Sequence, residues 1–335
     1  MNKNLSATFD FLRFPLALMV IFLHISPVVS TFDNSYSAIK PNSYLYINML
    51  INKIATCAVP TFFFISGYLL ITNIQNLSLA VYLSKLKKRF TTLFIPYIIW
   101  NLLAVIYLYF TNQFNKPFTF NNIFLSPANF PLWFLRDLMI MTLAFPAFYY
   151  VAKLLGKYMT ILSVALFIII PMPNMTVKYI FLPIIFFYTG ISASLHNINL
   201  NSCHNYLKLL IVLSCLFCLY IEIIFNGEIA WSIDNLFLVL GVFSFLIIGH
   251  LFVSNHNWQY IKTLSLGSFF IYCSHKLGPT YISKTILYKL PISPYYKEIA
   301  IFLLAPFLTY SICLLIYHLG KKYSPSFIKL LTGGK

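Results

Sequence analysis

The sequence predicts an all-α protein: a polytopic membrane helix bundle of about ten transmembrane helices, with the N- and C-termini cytoplasmic. Three observations carry this. Of 335 residues, 60% are hydrophobic and only 9% charged, too few polar groups to cover the water-facing surface of a soluble domain of this size. Apolar stretches of the roughly 20 residues that cross about 30 Å of hydrocarbon as a helix recur along the whole chain. The basic residues, finally, fall unevenly on the two sides that such a threading creates.

In chain order the spans are read at 9–30, 45–72, 93–112, 131–153, 158–173, 179–196, 206–226, 229–253, 263–283 and 297–318. The first is a retained helix and not a cleavable signal peptide, because it contains Asp10 and Arg13, has the length of a full span and ends without a small-residue cleavage site. The second holds Pro60–Tyr68, PTFFFISGY, and the third follows a basic run. The fourth and fifth are separated only by a short segment carrying Lys153 and Lys157, and the seventh and eighth by an equally short one near 225–232. Loops 31–43 and 113–130 are the longest breaks, rich in Asn, Ser, Pro and Phe, and neither is long enough to fold alone. Residues 319–335 form a short basic tail. The expectation is one membrane domain over 1–335, with spans within 9–320, no internal repeat and no soluble domain.

The net charge is +16, from 23 basic and 7 acidic residues. With the N-terminus inside, Lys3, Lys85, Lys87, Lys88, Arg89, Lys153, Lys157, Lys208, Lys262, Lys321, Lys322, Lys329 and Lys335 are cytoplasmic, whereas Lys40, Lys116, Lys178, Lys284 and Lys289 lie outside. That asymmetry follows the positive-inside rule, so the basic balance reads as topology and no nucleic-acid partner is expected. Cys57, Cys215, Cys218, Cys273 and Cys313 fall within spans and Cys203 in an inner loop, where they read as small buried hydrophobes. Neither these nor the seven histidines show a ligand spacing that supports a metal site.

Ionisable groups inside spans are the informative ones, because a charge in hydrocarbon costs several kcal/mol unless it is paired or faces water. Arg13 and His24 are 11 residues apart, about three helical turns, so they share a face roughly 16 Å apart along the axis. Asp10 can pair with Arg13 on that face. The competing reading is a structural Asp–Arg pair with a histidine reaching for the interface. In the second span Ser66 and Gly67 mark a close-packing point, a reading favoured over a catalytic serine. KLKKRFTTLFIPY at 85–97 sets Lys85, Lys87, Lys88 and Arg89 at the cytoplasmic mouth of the third span, suited to anionic phosphates or to lipid headgroups. PLWFLRD at 131–137 places Trp133 at the outer interface and then Arg136 and Asp137, which point in different directions. In the ninth span Tyr272 and His275 stack on one face near the outer level of His24. Glu222, a lone acid in the seventh, reads either as a proton or substrate contact or as an interfacial residue.

These segments bring the chain to a resemblance. FDFLRFPLALMVIFLH, PTFFFISGY, the basic run ending in Arg89 before IPY, LWFL at 132–135 and the late Ser-Phe-x-Ile-Tyr-x-x-His are similar, in order, to segments of the bacterial acyltransferase-3 family of membrane O-acyltransferases. The resemblance runs from about residue 5 to about 320. It implies a ten-helix enzyme of the bacterial cytoplasmic membrane that moves an acyl group, most often acetyl from acetyl-CoA and in some relatives succinyl, onto a hydroxyl of a cell-surface glycan or lipid-linked sugar. It makes His24 the catalytic histidine, Arg13 its partner and Asp10 the holder of Arg13, and gives Arg89, with Lys88 and Lys85 nearby, to the phosphates of the acyl-CoA donor. Two positions depart from the family. The second arginine of its Arg-x-x-Arg is Thr92, which puts a two-arginine clamp in doubt, and the residue before LWFL, often His, is Pro131. Many members fuse an SGNH hydrolase-like domain; 1–335 holds none, so final transfer is expected in the membrane domain or with a partner protein. Beyond acyl-CoA as substrate no bound cofactor is implied; the partners implied are the saccharide acceptor, the bilayer, and a second copy or other proteins of envelope glycan synthesis.

The chemistry suits these groups. A neutral imidazole can take the proton of a sugar hydroxyl as it attacks a thioester, or can itself be acylated and relay the group across the membrane. Arg136 or His275 is the expected oxyanion partner, ahead of Arg13. A transporter or flippase of polysaccharide or lipid-linked sugar is the alternative class that intramembrane charges allow, although the sequence shows neither inverted repeats nor paired broken helices. A non-catalytic scaffold of polysaccharide export is the third, and leaves the buried charges unexplained.

Overall fold

The computed structural model describes residues 3–25, 42–72, 74, 76–112, 119–170, 175–198, 203–225, 231–256 and 258–334. Residues 31–41 of the expected loop 31–43, with Lys40, Lys116 and Lys335, lie outside the described residues, as do the ends of several expected spans, and residues 42 and 43 begin a helix. The described chain is helical: α1 (Lys3–His24), α2 (Asn42–Thr56), α3 (Ala58–Ile71), α4 (Leu79–Arg89), α5 (Ile95–Phe110), α6 (Trp133–Ile169), α7 (Met175–Leu195), α8 (Asn205–Ile224), α9 (Trp231–Asn255), α10 (Gln259–Leu266), α11 (Ser268–Ser274), α12 (Pro279–Tyr288), α13 (Pro294–Tyr323) and α14 (Pro325–Thr332). A π-helical turn, Phe90–Phe94, joins α4 to α5, and a 3₁₀ turn, Phe130–Leu132, leads into α6.

Among the described residues eight helical stretches are long and apolar enough to cross a membrane. Large apolar side chains such as Leu154, Ile161, Leu209, Phe217 and Leu315 are exposed, as lipid-facing positions must be. Three of the ten expected spans take another form. Those at 131–153 and 158–173 follow one another along α6, broken at Gly156, whose φ of 63° and ψ of −161° no helix accommodates. The stretch 263–283 divides among α10, α11 and α12, because the backbone turns at Gly267 and again at Gly278–Pro279, where φ of Gly278 is 113°.

Contacts divide the chain into two compact units. The first comprises residues 1–16, 56–89 and 137–265. Here α3 and α7 touch backbone to backbone: a Cβ on Gly67 would lie 2.1 Å from the Phe187 carbonyl oxygen, and one on Gly190 would lie 2.1 Å from that of Phe64. This is the small-residue packing by which helices approach closely in lipid. Gly241 of α9 leaves room for the Cys57 sulfur and Gly249 for Leu12. Polar ties include an ion pair of Lys178 with Asp234, Asn235 Nδ2 donating to the Phe167 carbonyl (2.8 Å) and Thr160 donating to Ser192 (2.6 Å).

The second unit comprises residues 17–55, 90–136 and 266–335. The later half of α1 packs through Phe22 on Ala55 of α2 and Phe302 of α13. Thr309 of α13 donates to the Ser283 hydroxyl of α12 (2.9 Å). The described part of the expected basic tail, residues 319–334, completes α13 and then forms α14, which buries Ile328 and Leu331 and accepts the Trp100 indole N–H at the Leu331 carbonyl (3.0 Å). Gly333, at φ 66°, lies directly against the backbone of Thr92.

Candidate functional site

His24 closes α1, half-buried, with its Nδ1 2.7 Å from the carbonyl oxygen of Val20 one turn back. Facing it within the second unit is His275, fully buried, whose Nε2 is 3.4 Å from His24 Nδ1. The ring centroids stand 5.1 Å apart with planes at 52°. Phe130 presents its ring at 6.1 Å from the His24 imidazole, and the Lys276 ammonium sits 5.3 Å above that same phenyl ring. Two imidazoles, an aromatic face and a cation thus meet where α1 ends.

The sequence around His275 explains why it can be held so firmly. SFFIYCSH forms a single short helix, α11, and the following Lys-Leu-Gly-Pro cannot continue it, since Gly278 takes a positive φ and Pro279 starts α12. Thr280, at the start of α12, satisfies the His275 carbonyl with both its N–H (3.0 Å) and its hydroxyl (2.7 Å). Asn129 Nδ2 donates to the Cys273 carbonyl (2.7 Å), and the Tyr272 hydroxyl donates to the carbonyl of Pro131. The backbone N–H of Asn129 in turn donates to Asn101 Oδ1 (3.4 Å), and Asn101 Nδ2 donates to Tyr97 O one turn back on α5 (3.2 Å). In an apolar interior each such bond is strong and each broken one expensive, so this network fixes the end of α11.

The structure therefore brings together three residues expected from sequence, His24, His275 and Tyr272, the last with its ring 6.4 Å from that of His275. Arg136, an expected oxyanion partner, donates to the Leu125 carbonyl, and it is His275 that stands at His24. Trp133 is half-buried at the start of α6, and Asp137 is half-buried one turn on. In the first unit Asp10 and Arg13 form the expected ion pair at 3.0 Å, each side chain about two-fifths exposed (42% and 41%). On α4 Lys85 and Arg89 are half-buried and Lys87 and Lys88 exposed. Ser66 is half-buried beside the Gly67 packing point, and Glu222 is half-buried one turn after Cys218 on α8. An apolar cavity of about 390 Å³ in this unit, lined by residues including Phe9, Phe64, Tyr68, Ile161 and Phe243, contains none of the expected site residues. Among the described residues no three His, Cys, Asp or Glu side chains gather as a metal site.

Sequence reasoning missed Asn101, Asn129, Phe130, Lys276 and Thr280. Asn101 and Lys276, both inside expected spans, were the usable signals, since a polar group there needs a partner or water. It also missed a buried contact in the first unit, Thr8 Oγ1 at 3.4 Å from His250 Nδ1.

The acyltransferase domain family matches residues 6–318, nearly the whole chain and both histidines of the pair. The chain belongs to the acyltransferase-3 family. Among curated proteins it is similar to the succinoglycan biosynthesis protein ExoH of Rhizobium meliloti (strain 1021), at 26% identity over 364 residues that cover 100% of this chain and 94% of that protein. No solved structure matches. Family membership and the eight apolar helices together make this acyltransferase a multi-pass membrane protein.

Proposed function

We propose that this acyltransferase moves an acyl group from acyl-CoA, supplied on the cytoplasmic side of the bacterial inner membrane, onto a sugar hydroxyl of an exopolysaccharide or its lipid-linked precursor. The observation that carries the reading is the His24–His275 pair at the end of α1, inside the region matched by the family. The similarity to a succinoglycan biosynthesis protein supports a polysaccharide acceptor. Acetyl-CoA is the donor of choice and succinyl-CoA the second, with Arg89, Lys88 and Lys85 of α4 offered to the donor's phosphates.

In this reading His24 takes the proton of the attacking hydroxyl. The sugar oxygen bonds to the thioester carbon, the C–S bond breaks, and the CoA thiolate leaves to be protonated. Alternatively His24 is acylated first, with loss of CoA, and the acyl-imidazole then passes the group to the sugar. A cation stabilises the oxyanion that either step creates, and Lys276 is placed for it beside Phe130.

The test is acyl transfer by purified protein in nanodiscs, with radiolabelled acetyl-CoA and succinyl-CoA and an exopolysaccharide acceptor. The native chain should transfer label, and His24→Ala should lose on the order of a hundredfold or more of that rate while still folding and binding donor. Transfer by His24→Ala at the native rate, or none by native protein with either donor and acceptor present, would overturn the proposal.

A further inference from the structure

The two imidazoles hold more information than their proximity, because their hydrogen bonds to backbone carbonyls dictate where each proton lies. His275 Nδ1 is 2.8 Å from the carbonyl oxygen of Tyr272 and 3.2 Å from that of Ile271. Carbonyl oxygens only accept, so Nδ1 of His275 carries the hydrogen and its Nε2 is a bare lone pair. That lone pair faces His24 Nδ1 at 3.4 Å. His24 Nδ1 also faces the Val20 carbonyl at 2.7 Å, a second acceptor. Two acceptors converge on one nitrogen, so His24 Nδ1 is the protonated one, shared between them, and His24 Nε2 is the basic nitrogen.

The opposite arrangement keeps the contact between the two rings and fails at the other three. A hydrogen on His275 Nε2 would leave its Nδ1 lone pair against two carbonyl oxygens and would require His24 Nδ1 to be bare, turning its lone pair onto the Val20 oxygen at 2.7 Å. In a site of low dielectric three such lone-pair contacts are strongly repulsive.

We infer that His275 is a positioning residue that fixes His24 in the Nδ1–H tautomer, so that Nε2 is the nitrogen presented to the substrate. This rests on the reading of His24 as the base or acyl carrier. Val20, on the same helix, supplies one acceptor to any histidine at position 24. His275 supplies the second from a different element, and so also sets the plane of the ring. Its own carbonyl is held by Thr280 and that of Cys273, two residues before it, by Asn129, which places the acceptor at a defined point in space. The pattern is that of an imidazole oriented by a hydrogen-bond acceptor on its distal nitrogen, with a neutral imidazole in the acceptor's place.

The deciding experiment uses the native chain in nanodiscs with ¹⁵N-histidine labelling at a pH where His24 is neutral, the His24→Gln spectrum serving to assign its signals. The expected result is a protonated Nδ1 and an unprotonated Nε2 for His24; an Nε2–H tautomer overturns the inference. This readout requires no turnover, so it separates the inference from the acyltransfer reading itself. In transfer assays His275→Leu should lower kcat on the order of a hundredfold with KM for the donor within about twofold. His275→Gln, whose amide oxygen reaches the position of Nε2, should recover a large part of that loss. A Leu variant at the native rate, or a Gln variant no better than Leu, overturns it; and if Leu unfolds the protein, the tautomer of the native chain still decides.

Discussion

At the scale of single residues the site combines groups whose partnership lies far apart in sequence. His24 was legible because Arg13 and His24 share a helical face and an imidazole inside a span demands an explanation. His275 was legible as a candidate but not as its partner: 251 positions separate them, and no periodicity within one span reports on another. Lys276 was not singled out at all, although it falls inside the expected span 263–283. It now yields a prediction. Its ammonium, exposed and 5.3 Å above Phe130, is the cation beside His24, so Lys276→Met should lower kcat by roughly tenfold while Lys276→Arg retains most of the rate. Equal rates for native and Met proteins would remove it from the chemistry. The Asp10–Arg13 pair behaves differently. Being about two-fifths exposed, it contributes at most about 1 kcal/mol, so Asp10→Asn should leave thermal stability nearly unchanged. Any large loss of transfer in that variant then reports on function; a large drop in melting temperature would instead make the pair a structural anchor.

At the scale of elements, apolar length and charge located the helices well, and what they could not show was where the helices break. The stretch 263–283 has the composition of one span, yet it forms three helices because a glycine at 267 and a Gly-Pro at 278–279 offer turns that hydropathy does not register. The break matters, since it is the short α11 that carries His275 to His24. The tail after α13 shows the same limit: its lysines suggested a basic extension, while Ile328 and Leu331, spaced three apart, make an apolar face that docks as α14. By contrast the packing reading of Ser66–Gly67 survives in detail, because glycine in a membrane helix has a direct physical use. A methyl group on Gly67 would overlap the Phe187 carbonyl oxygen, and a backbone atom cannot rotate aside as a side chain can. Gly67→Ala should therefore destabilise the protein by about 1–3 kcal/mol, as overpacking does, with Gly190→Ala similar and the double variant less than additive. Thermal denaturation in detergent checks this, and an unchanged midpoint for Gly67→Ala would contradict the close contact of α3 and α7.

At the scale of the whole molecule the problem is one of sides. In the proposed reaction the donor is made in the cytoplasm and the glycan is finished outside it, so an acyltransferase joining them would give the two substrates different entrances. The distribution of lysines predicts which entrance is which, with α4 and its Lys85, Lys88 and Arg89 at the cytoplasmic face and His24 in the outer half of α1. A helix rises about 1.5 Å per residue, so the 11 positions from Arg13 to His24 span roughly half of the hydrocarbon thickness, and in the proposed reaction the acyl group covers that distance as thioester or on the enzyme. This predicts sided chemistry. In sealed inverted membrane vesicles, labelled acyl-CoA added to the medium should reach glycan acceptor within the lumen, while in right-side-out vesicles the same donor should give no transfer until the membrane is permeabilised. A reporter fused to the C-terminus should be active only in the form that works in the cytoplasm. Equal transfer in both vesicle orientations without permeabilisation would mean that donor reaches the site from the acceptor side, and α4 would then have no claim on the CoA phosphates.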